Sequence, residues 1–390
     1  MVEDKFRIDG DKILFHPERV KNWLDSGNDW EKAKKVYPLY IEISPAGSCN
    51  HRCTFCAVDF IGYVKRFLDK DILNERLSEI GDLGVKSVMY VGEGEPLLHP
   101  NLSEIIQHTK GNAGIDVAIT TNATPLKERF VEETLPYITW IKASINAGTA
   151  ETYSKVHMTR ESHFELALGN MGRASRLREK MGLRKEEHTL GAQMVLLPEN
   201  SMEVENLAKR SRDLGLDYLV VKPYSQGLSS ITRMYEGMTY GEHMELEEKL
   251  REIETDDFKV VFRRKTMQEL ESEKPRYKKC QATPFFWAYI MANGNVYGCS
   301  AHIGCEGDLF NYGNVNEKTF KEIWEGENRK NNFEFVRGKL DISDCRRNCR
   351  MNQVNNTLWD LNKDEEAEPN SYVPLTSLEL KNAPHHVNFI

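Results

Sequence analysis

The stretch LYIEISPAGSCNHRCTFC, Leu39–Cys56, governs the reading of this chain. Leu39–Ser44 is a short β-branched run of strand length. It feeds a loop, Pro45–Asp59, that carries Cys49, Cys53 and Cys56 at C-x3-C-x2-C spacing. Further runs of the same kind stand at Ser87–Val91, Ile115–Thr120, Ile138–Ser144, Gly191–Leu197 and Tyr218–Lys222. Between them lie helical patterns at Ile72–Leu83, Asn101–Thr109, Lys127–Thr134, His163–Met181 and Met202–Leu214; the last carries Val204, Leu207, Ala208 and Ser211 on one face. Strands alternating with amphipathic helices predict βα units on a parallel sheet, where sites lie beyond the carboxyl ends of the strands. Six units predict an α/β fold, a partial (β/α)6 TIM-like barrel with a small C-terminal domain. An open doubly wound sheet is the competing topology.

Composition narrows the class. At 390 residues the chain is long enough for about two domains. Its 52 basic and 60 acidic side chains give a net charge of −8, which argues against an electrostatic nucleic-acid partner. The longest apolar run, Phe285–Ala292, is far short of the roughly 18 residues a membrane span needs. The opening MVEDKFRIDGDK has no apolar segment of the signal-peptide kind, so a cytoplasmic, reducing location is expected. In that setting Cys49, Cys53, Cys56, Cys280, Cys299, Cys305, Cys345 and Cys349 point to metal rather than disulfides.

The pattern changes after Pro223. The expected division is an N-terminal extension (1–38), the barrel (39–230), a helical linker (231–279), a small cysteine domain (280–360) and a tail (361–390). The linker contains a charged helical stretch, Tyr240–Glu254, and the polar Glu269–Lys279. The small domain opens with a predicted hairpin, Met291–Gly298, turning at Asn293-Gly294. Helical patterns follow at Thr319–Trp324 and Glu327–Arg337. The tail, with Pro369, Pro374 and Pro384, reads as an irregular surface segment.

Three thiolates on one loop suit an iron–sulfur cube, which normally takes four and here would keep one iron open. A zinc site with His51 as fourth ligand, or buried free thiols, fits the same spacing. The loop CNHRCTFC, with Phe55 before its third cysteine, resembles the defining motif of the radical S-adenosylmethionine (SAM) superfamily. That resemblance implies a [4Fe-4S] cluster on Cys49, Cys53 and Cys56 whose open iron binds SAM. It also implies cleavage of SAM to methionine and a 5′-deoxyadenosyl radical that takes a hydrogen atom from a substrate. Gly92-Glu93-Gly94-Glu95-Pro96 resembles the family's Gly-Gly-Glu-Pro loop for the methionine ammonium, with Glu93 where a glycine is usual. Thr121-Asn122, after the third strand, fits the resemblance as a further cofactor-binding pair. Ser144 and Asn146 resemble the polar pair for the ribose hydroxyls, and Val195 and Leu197 the apolar contacts to adenine. The resemblance spans about 39–223.

In the second cysteine set, Gly294 lies between Cys280 and Cys299 and GNVNEKTFKEIWEGENRK follows at Gly313–Lys330. This resembles the SPASM and twitch extensions of radical SAM enzymes. Phe320, Ile323 and Trp324 read from periodicity as a core-facing helix stripe. A full SPASM domain would need more thiols than are present. The resemblance therefore implies one auxiliary [4Fe-4S] cluster, held by Cys280, Cys299, Cys345 and Cys349. Full cysteine ligation favours electron transfer over substrate binding. A zinc ribbon is the alternative for this set, and Cys305 is left over.

Such extensions imply either oxidation or epimerisation of a small molecule, or modification of a peptide. Only 48 residues precede Cys49, too few for a peptide-recognition domain plus the first strand, so a small substrate such as a sugar or nucleotide-sugar is expected. The expected reaction is dehydrogenation, with the auxiliary cluster accepting an electron. A base would come from Lys222 or Tyr224 at a strand end, and Arg160 would hold a carboxylate or phosphate. Flavodoxin or ferredoxin would supply reducing electrons. The alternatives are an epimerase with Cys305 as hydrogen donor, a peptide maturase, and a non-catalytic iron–sulfur electron-transfer protein.

Overall fold

A computed structural model of the chain describes residues 5–272, 277–305, 307–362 and 383–390. Six parallel strands appear where the β-branched runs predict them. They are β1 (Tyr40–Ile43), β2 (Ser87–Tyr90), β3 (Asp116–Thr121), β4 (Trp140–Ser144), β5 (Thr189–Leu196) and β6 (Tyr218–Pro223), each paired with the next. Helices Lys70–Asp82, Leu102–Gly111, Glu128–Thr134, Ser162–Lys180 and Val204–Asp213 alternate with them. The first starts where the Asp69 carboxylate accepts from the N–H groups of Asp71 and Ile72, satisfying donors that have no partner within the helix.

The sheet extends beyond those six strands at both edges. β7 (Lys259–Phe262) pairs parallel with β6, and β8 (Trp287–Ile290) pairs parallel with β1. β9 (Asn295–Tyr297) and β10 (Asn311–Asn314) continue antiparallel from β8, giving the order β10-β9-β8-β1-β2-β3-β4-β5-β6-β7. Eight parallel strands therefore curve around a lumen that stays open between β7 and β8. The predicted hairpin forms, with Gly294 at φ +90° in its turn, but its first strand belongs to the barrel sheet rather than to a detached domain. The linker, expected to be helical, holds helices Leu246–Arg251 and Arg264–Glu271 and also contributes β7, a four-residue run too short for periodicity to separate from a helix. The long helix expected over Tyr240–Glu254 is a 3-10 turn, Gly241–His243, followed by a helix only at Leu246–Arg251.

Strand alternation sorts the side chains. Ile41, Ile43, Val88, Val117, Ile119, Ile141, Leu190 and Leu219 point outward and are buried against the helices. Each such side chain contributes about 1.5–3 kcal/mol by leaving water. Glu42, Met89, Thr120, Lys142, Lys222 and Tyr289 point inward and line the lumen. Residues 383–390, expected as part of a surface tail, pack under the barrel at the N-terminal ends of the strands. The Ser87 hydroxyl donates to the Asn388 carbonyl at 2.6 Å, and the Asn388 amide donates to Asp116 at 2.6 Å. Phe389 is buried against Tyr40 and Trp140. The remainder of that tail, 363–382, lies outside the described residues.

Candidate active site

The loop after β1 brings Cys49, Cys53 and Cys56 together at the carboxyl end of the barrel. Burial pushes the Cys49 thiol up to about 11. Cys53 is raised well above its ordinary value, by burial and then by the proximity of Cys49 and Cys56. Three enclosed thiols that oppose one another's ionisation are a donor set that a cationic iron centre would relieve, so the residues fit a cluster. Helix Ala150–His157 borders the loop: His157 Nδ1 lies 3.2 Å from Cys53 Sγ, and the Arg52 and Thr54 N–H groups donate to the carbonyls of His157 and Val156. His157 Nε2 lies 2.8 Å from the Ile145 carbonyl, and burial lowers the imidazole to about 3, so it is neutral. Ligand atoms of His51, Cys53 and His157 lie within 4.8 Å of one another, so a single metal ion is the competing occupant. This helix, and with it His157, was missed in the sequence.

One cavity of about 530 Å3 runs from this loop down the lumen to the floor made by Phe389 and Ile390. Of the residues expected to touch SAM, Phe55, Gly92, Ser144 and Val195 line it. The others serve the scaffold. Glu93 pairs with Arg66 and accepts from the Ala292 N–H at 3.2 Å, tying the β2 loop to β8. Glu95 accepts from Thr121 Oγ1 at 2.5 Å, Asn122 N at 2.8 Å and Leu97 N at 3.1 Å; burial lifts its carboxyl to about 7. Thr121 and Asn122 thus brace Glu95. Neither carboxylate lines the cavity, which leaves the loop's backbone carbonyls for an ammonium group.

Asn146 also departs from its expected place. Its φ of 48° turns the chain after β4 and breaks the alternation that would have aimed it inward beside Ser144. Its Oδ1 instead accepts from Val195 N at 2.7 Å. Leu197 is fully buried in a small cluster with Tyr224 and Tyr235. Gln193, not singled out in the sequence, lines the cavity and donates to Ser144 Oγ at 3.3 Å. Its position two residues before Val195 on the same strand was the available signal.

The second cysteine set is drawn from separate segments of the chain. Cys280 precedes β8, Cys299 follows β9, and Cys345 and Cys349 flank one turn before helix Asn352–Asn362. Burial raises the Cys299 thiol, and Cys349, Cys280 and Cys345 raise it further, in that order. Four thiols brought together in this way fit a fully ligated cluster as the first three do. Cys305 stands apart. Its sulfur lies 3.7 Å from Ser229 Oγ, and it does not line the cavity.

Lys222 and Tyr224 both line the cavity, and the Tyr224 hydroxyl donates to Gln226 at 3.0 Å. Arg160 does not reach it; it is exposed in an outer groove with Asn50, Lys155 and His163. Arg160 follows helix Ala150–His157, well past the end of β4 at Ser144. The other cationic residues that line the cavity are Arg7, Lys12, Lys142, Arg263, Arg346 and Arg350. Lys142 shares its strand face with Ser144, so alternation marked it; Arg263 follows β7, and Arg346 and Arg350 lie in the turn before helix Asn352–Asn362.

Residues 43–211 match the Radical SAM superfamily, and residues 280–350 match the SPASM iron–sulfur cluster-binding domain. The chain belongs to the radical SAM superfamily and carries a C-terminal SPASM-type domain. The radical SAM domain implies SAM and a [4Fe-4S] cluster as cofactors, and the SPASM domain implies auxiliary iron–sulfur clusters. It is 29% identical over 127 residues to a GTP 3′,8-cyclase of Chlorobaculum tepidum, covering 32% of this chain and 38% of that one. A tungsten-containing aldehyde ferredoxin oxidoreductase cofactor-modifying protein of Pyrococcus furiosus is 22% identical over 318 residues, covering 76% of this chain and 83% of its own. The chain spans well under half the length of the cyclases from C. tepidum and Tolumonas auensis, 38% and 27%. The SAM-bound structure of Streptococcus suis SuiB shares the fold, with a TM-score of 0.61, 19% identity and coverage of 78% of this chain and 68% of SuiB. No helix among the described residues is long and apolar enough to cross a membrane.

Proposed function

We propose that this chain oxidises a small-molecule substrate held in the barrel lumen, by hydrogen-atom removal followed by loss of a proton and an electron. The observation that carries this reading is that both cysteine sets border one cavity: Cys53 and Cys56 from the first set and Cys349 from the second. A cluster on Cys49, Cys53 and Cys56 would supply the electron that cleaves SAM and so the hydrogen-atom acceptor. Cys280, Cys299, Cys345 and Cys349 would hold a second cluster, fully ligated and able to take up an electron.

The chain's own residues do the remaining work. Phe55, Ser144, Gln193 and Val195 shape the wall nearest the first loop, where the cofactor's ribose and adenine would lie. Phe389 and Ile390 close the far end, so the lumen is shielded from solvent there. The enclosed shape favours a small molecule over a long peptide. Cys305 is outside the lining, so it does not support a hydrogen-returning epimerase. A cytoplasmic location and a flavodoxin- or ferredoxin-type reductant accord with this chemistry.

The test is anaerobic incubation of the reconstituted protein with SAM, dithionite and candidate sugars and nucleotides. The wild type should release 5′-deoxyadenosine and form an oxidised product. Cys280→Ala should keep 5′-deoxyadenosine release and lose the product. Full product formation by Cys280→Ala, or no 5′-deoxyadenosine from a fully loaded wild type, would overturn the reading.

A further inference from the structure

Two lysines face each other's surroundings in the lumen without a counterion. Lys142 on β4 and Lys222 on β6 line the cavity, and among the described residues neither makes a hydrogen bond or ion pair. The Lys142 ammonium has only the Trp140 ring, 5.0 Å away. Arg346 enters the same space with its Nε buried and unpartnered. Of the acidic groups nearby, two are held in ion pairs with arginines and the third, Asp11, accepts from a neutral hydroxyl. Glu42 pairs with Arg350 at 2.7 Å and accepts from Tyr40, Asp9 pairs with Arg263 at 3.3 Å, and Asp11 accepts from Thr357 at 2.8 Å.

The cations stand close enough to work against one another. Lys222, Arg350 and Arg263 each oppose the charge of Lys142, after the larger effect of burial, and Glu42, itself paired with Arg350, favours it less than these oppose it. Like charges enclosed in protein repel more strongly than in water, and an anion among them removes that penalty. A single carboxylate would neutralise one of three unpaired cations. A phosphate dianion or a diphosphate would neutralise two or more and offer oxygens in several directions.

We infer that the lumen binds its substrate through a phosphoryl group seated between Lys142, Lys222 and Arg346. The inference rests on the proposed function only in placing the substrate in this cavity. It assigns Lys222 to holding negative charge, in place of the proton-accepting role expected from its strand-end position. The phosphoryl group could belong to a sugar phosphate, a nucleotide or a nucleotide-sugar, and the test separates these.

The experiment is calorimetric titration of the cluster-loaded, SAM-bound protein under nitrogen. The probes are pyrophosphate, glucose 6-phosphate, UTP and UDP-glucose, with glucose and citrate as controls. At least one phosphorylated probe should bind and glucose should not, and the tightest probe names the source. Lys142→Met and Lys222→Met should each weaken that probe by about tenfold or more, the equivalent of losing one charge-assisted contact. Lys222→Arg should stay within about threefold of wild type, because arginine keeps the cation and cannot act as a base. Ligand-free Lys142→Met should melt higher than wild type, since it removes an unpaired buried charge; a merely structural lysine would melt lower when lost. The inference is overturned if no phosphorylated probe binds better than glucose. It is also overturned if citrate binds tighter than all of them, or if both methionine variants bind like wild type. Binding is read without turnover, so a wrong electron-acceptor assignment leaves this result standing, and failure here leaves the 5′-deoxyadenosine assay unaffected.

Discussion

Lys222 owes its chemical character to its neighbours. Burial, then Arg263, Arg350 and Arg346 in that order, brings its ammonium down to about 7, while Glu42 pulls the other way; Lys142 faces the same cavity from β4. In the unfolded chain the same lysine titrates near 10.4. Between those values the unfolded state binds more protons, so this residue's term makes the folded state gain stability as pH rises and lose it as pH falls toward 7. Lys222→Met has no such term. Thermal melts of the ligand-free proteins should therefore show the variant more stable at pH 7, with the gap to wild type narrowing by pH 9. A gap independent of pH would mean that Lys222 is not crowded by cations. The same residues show what alternation makes legible. Lys142, Ser144, Val195 and Lys222 all face inward because they lie on strands of known phase. Asn146 follows the same count but lies past the strand end, where a left-handed backbone turns it away, and that turn has no signature in its neighbours.

At the scale of elements, the second cysteine set depends on a helix that periodicity did not mark, Asn352–Asn362. Asn355 on that helix is fully buried, and its Oδ1 accepts from Gln281 N at 2.6 Å and Ala282 N at 2.8 Å. Two backbone donors beside Cys280 thus depend on one side chain 74 and 73 positions away in sequence. Replacing it by alanine leaves both N–H groups buried and unpaired, at about 1–3 kcal/mol each. Asn355→Ala should loosen the Cys280 end of the second site and spare the first. Iron analysis after anaerobic reconstitution should fall from about eight atoms per chain toward about four, with 5′-deoxyadenosine release retained. Unchanged iron content would show that Cys280 is held independently of the helix. Such dependencies join residues some seventy positions apart and leave no local pattern. The C-x3-C-x2-C loop, by contrast, is contiguous, which is why the first site could be read from the sequence and the second only as a set of thiols.

At the scale of the whole molecule, the boundary expected between barrel and cysteine domain is crossed by hydrogen bonds, because β8 completes the barrel edge beside β1. The two cysteine sites are therefore held by one sheet, which fixes their relation to the lumen between them. The barrel's other end depends on residues 383–390. Phe389 lies 6.2 Å from the Tyr40 ring and 5.3 Å from that of Trp140, centroid to centroid, and shares a core cluster with Met89 and Ala118. These are lumen-facing positions at the lower ends of β1–β4, and without Phe389 their apolar surface meets water. Truncating a buried phenylalanine costs about 3–5 kcal/mol in a well-packed core; this one sits at an edge, so Phe389→Ala should fall at about 3 kcal/mol or slightly less in denaturant unfolding. The cavity would then open at its floor as well as its mouth. Water entering from below would screen Lys142 and Lys222, so a phosphorylated probe should bind more weakly to Phe389→Ala and with a steeper dependence on salt. Wild-type affinity and salt dependence in a destabilised Phe389→Ala protein would show that the floor contributes packing alone, and that the lumen's electrostatics are set by the strands.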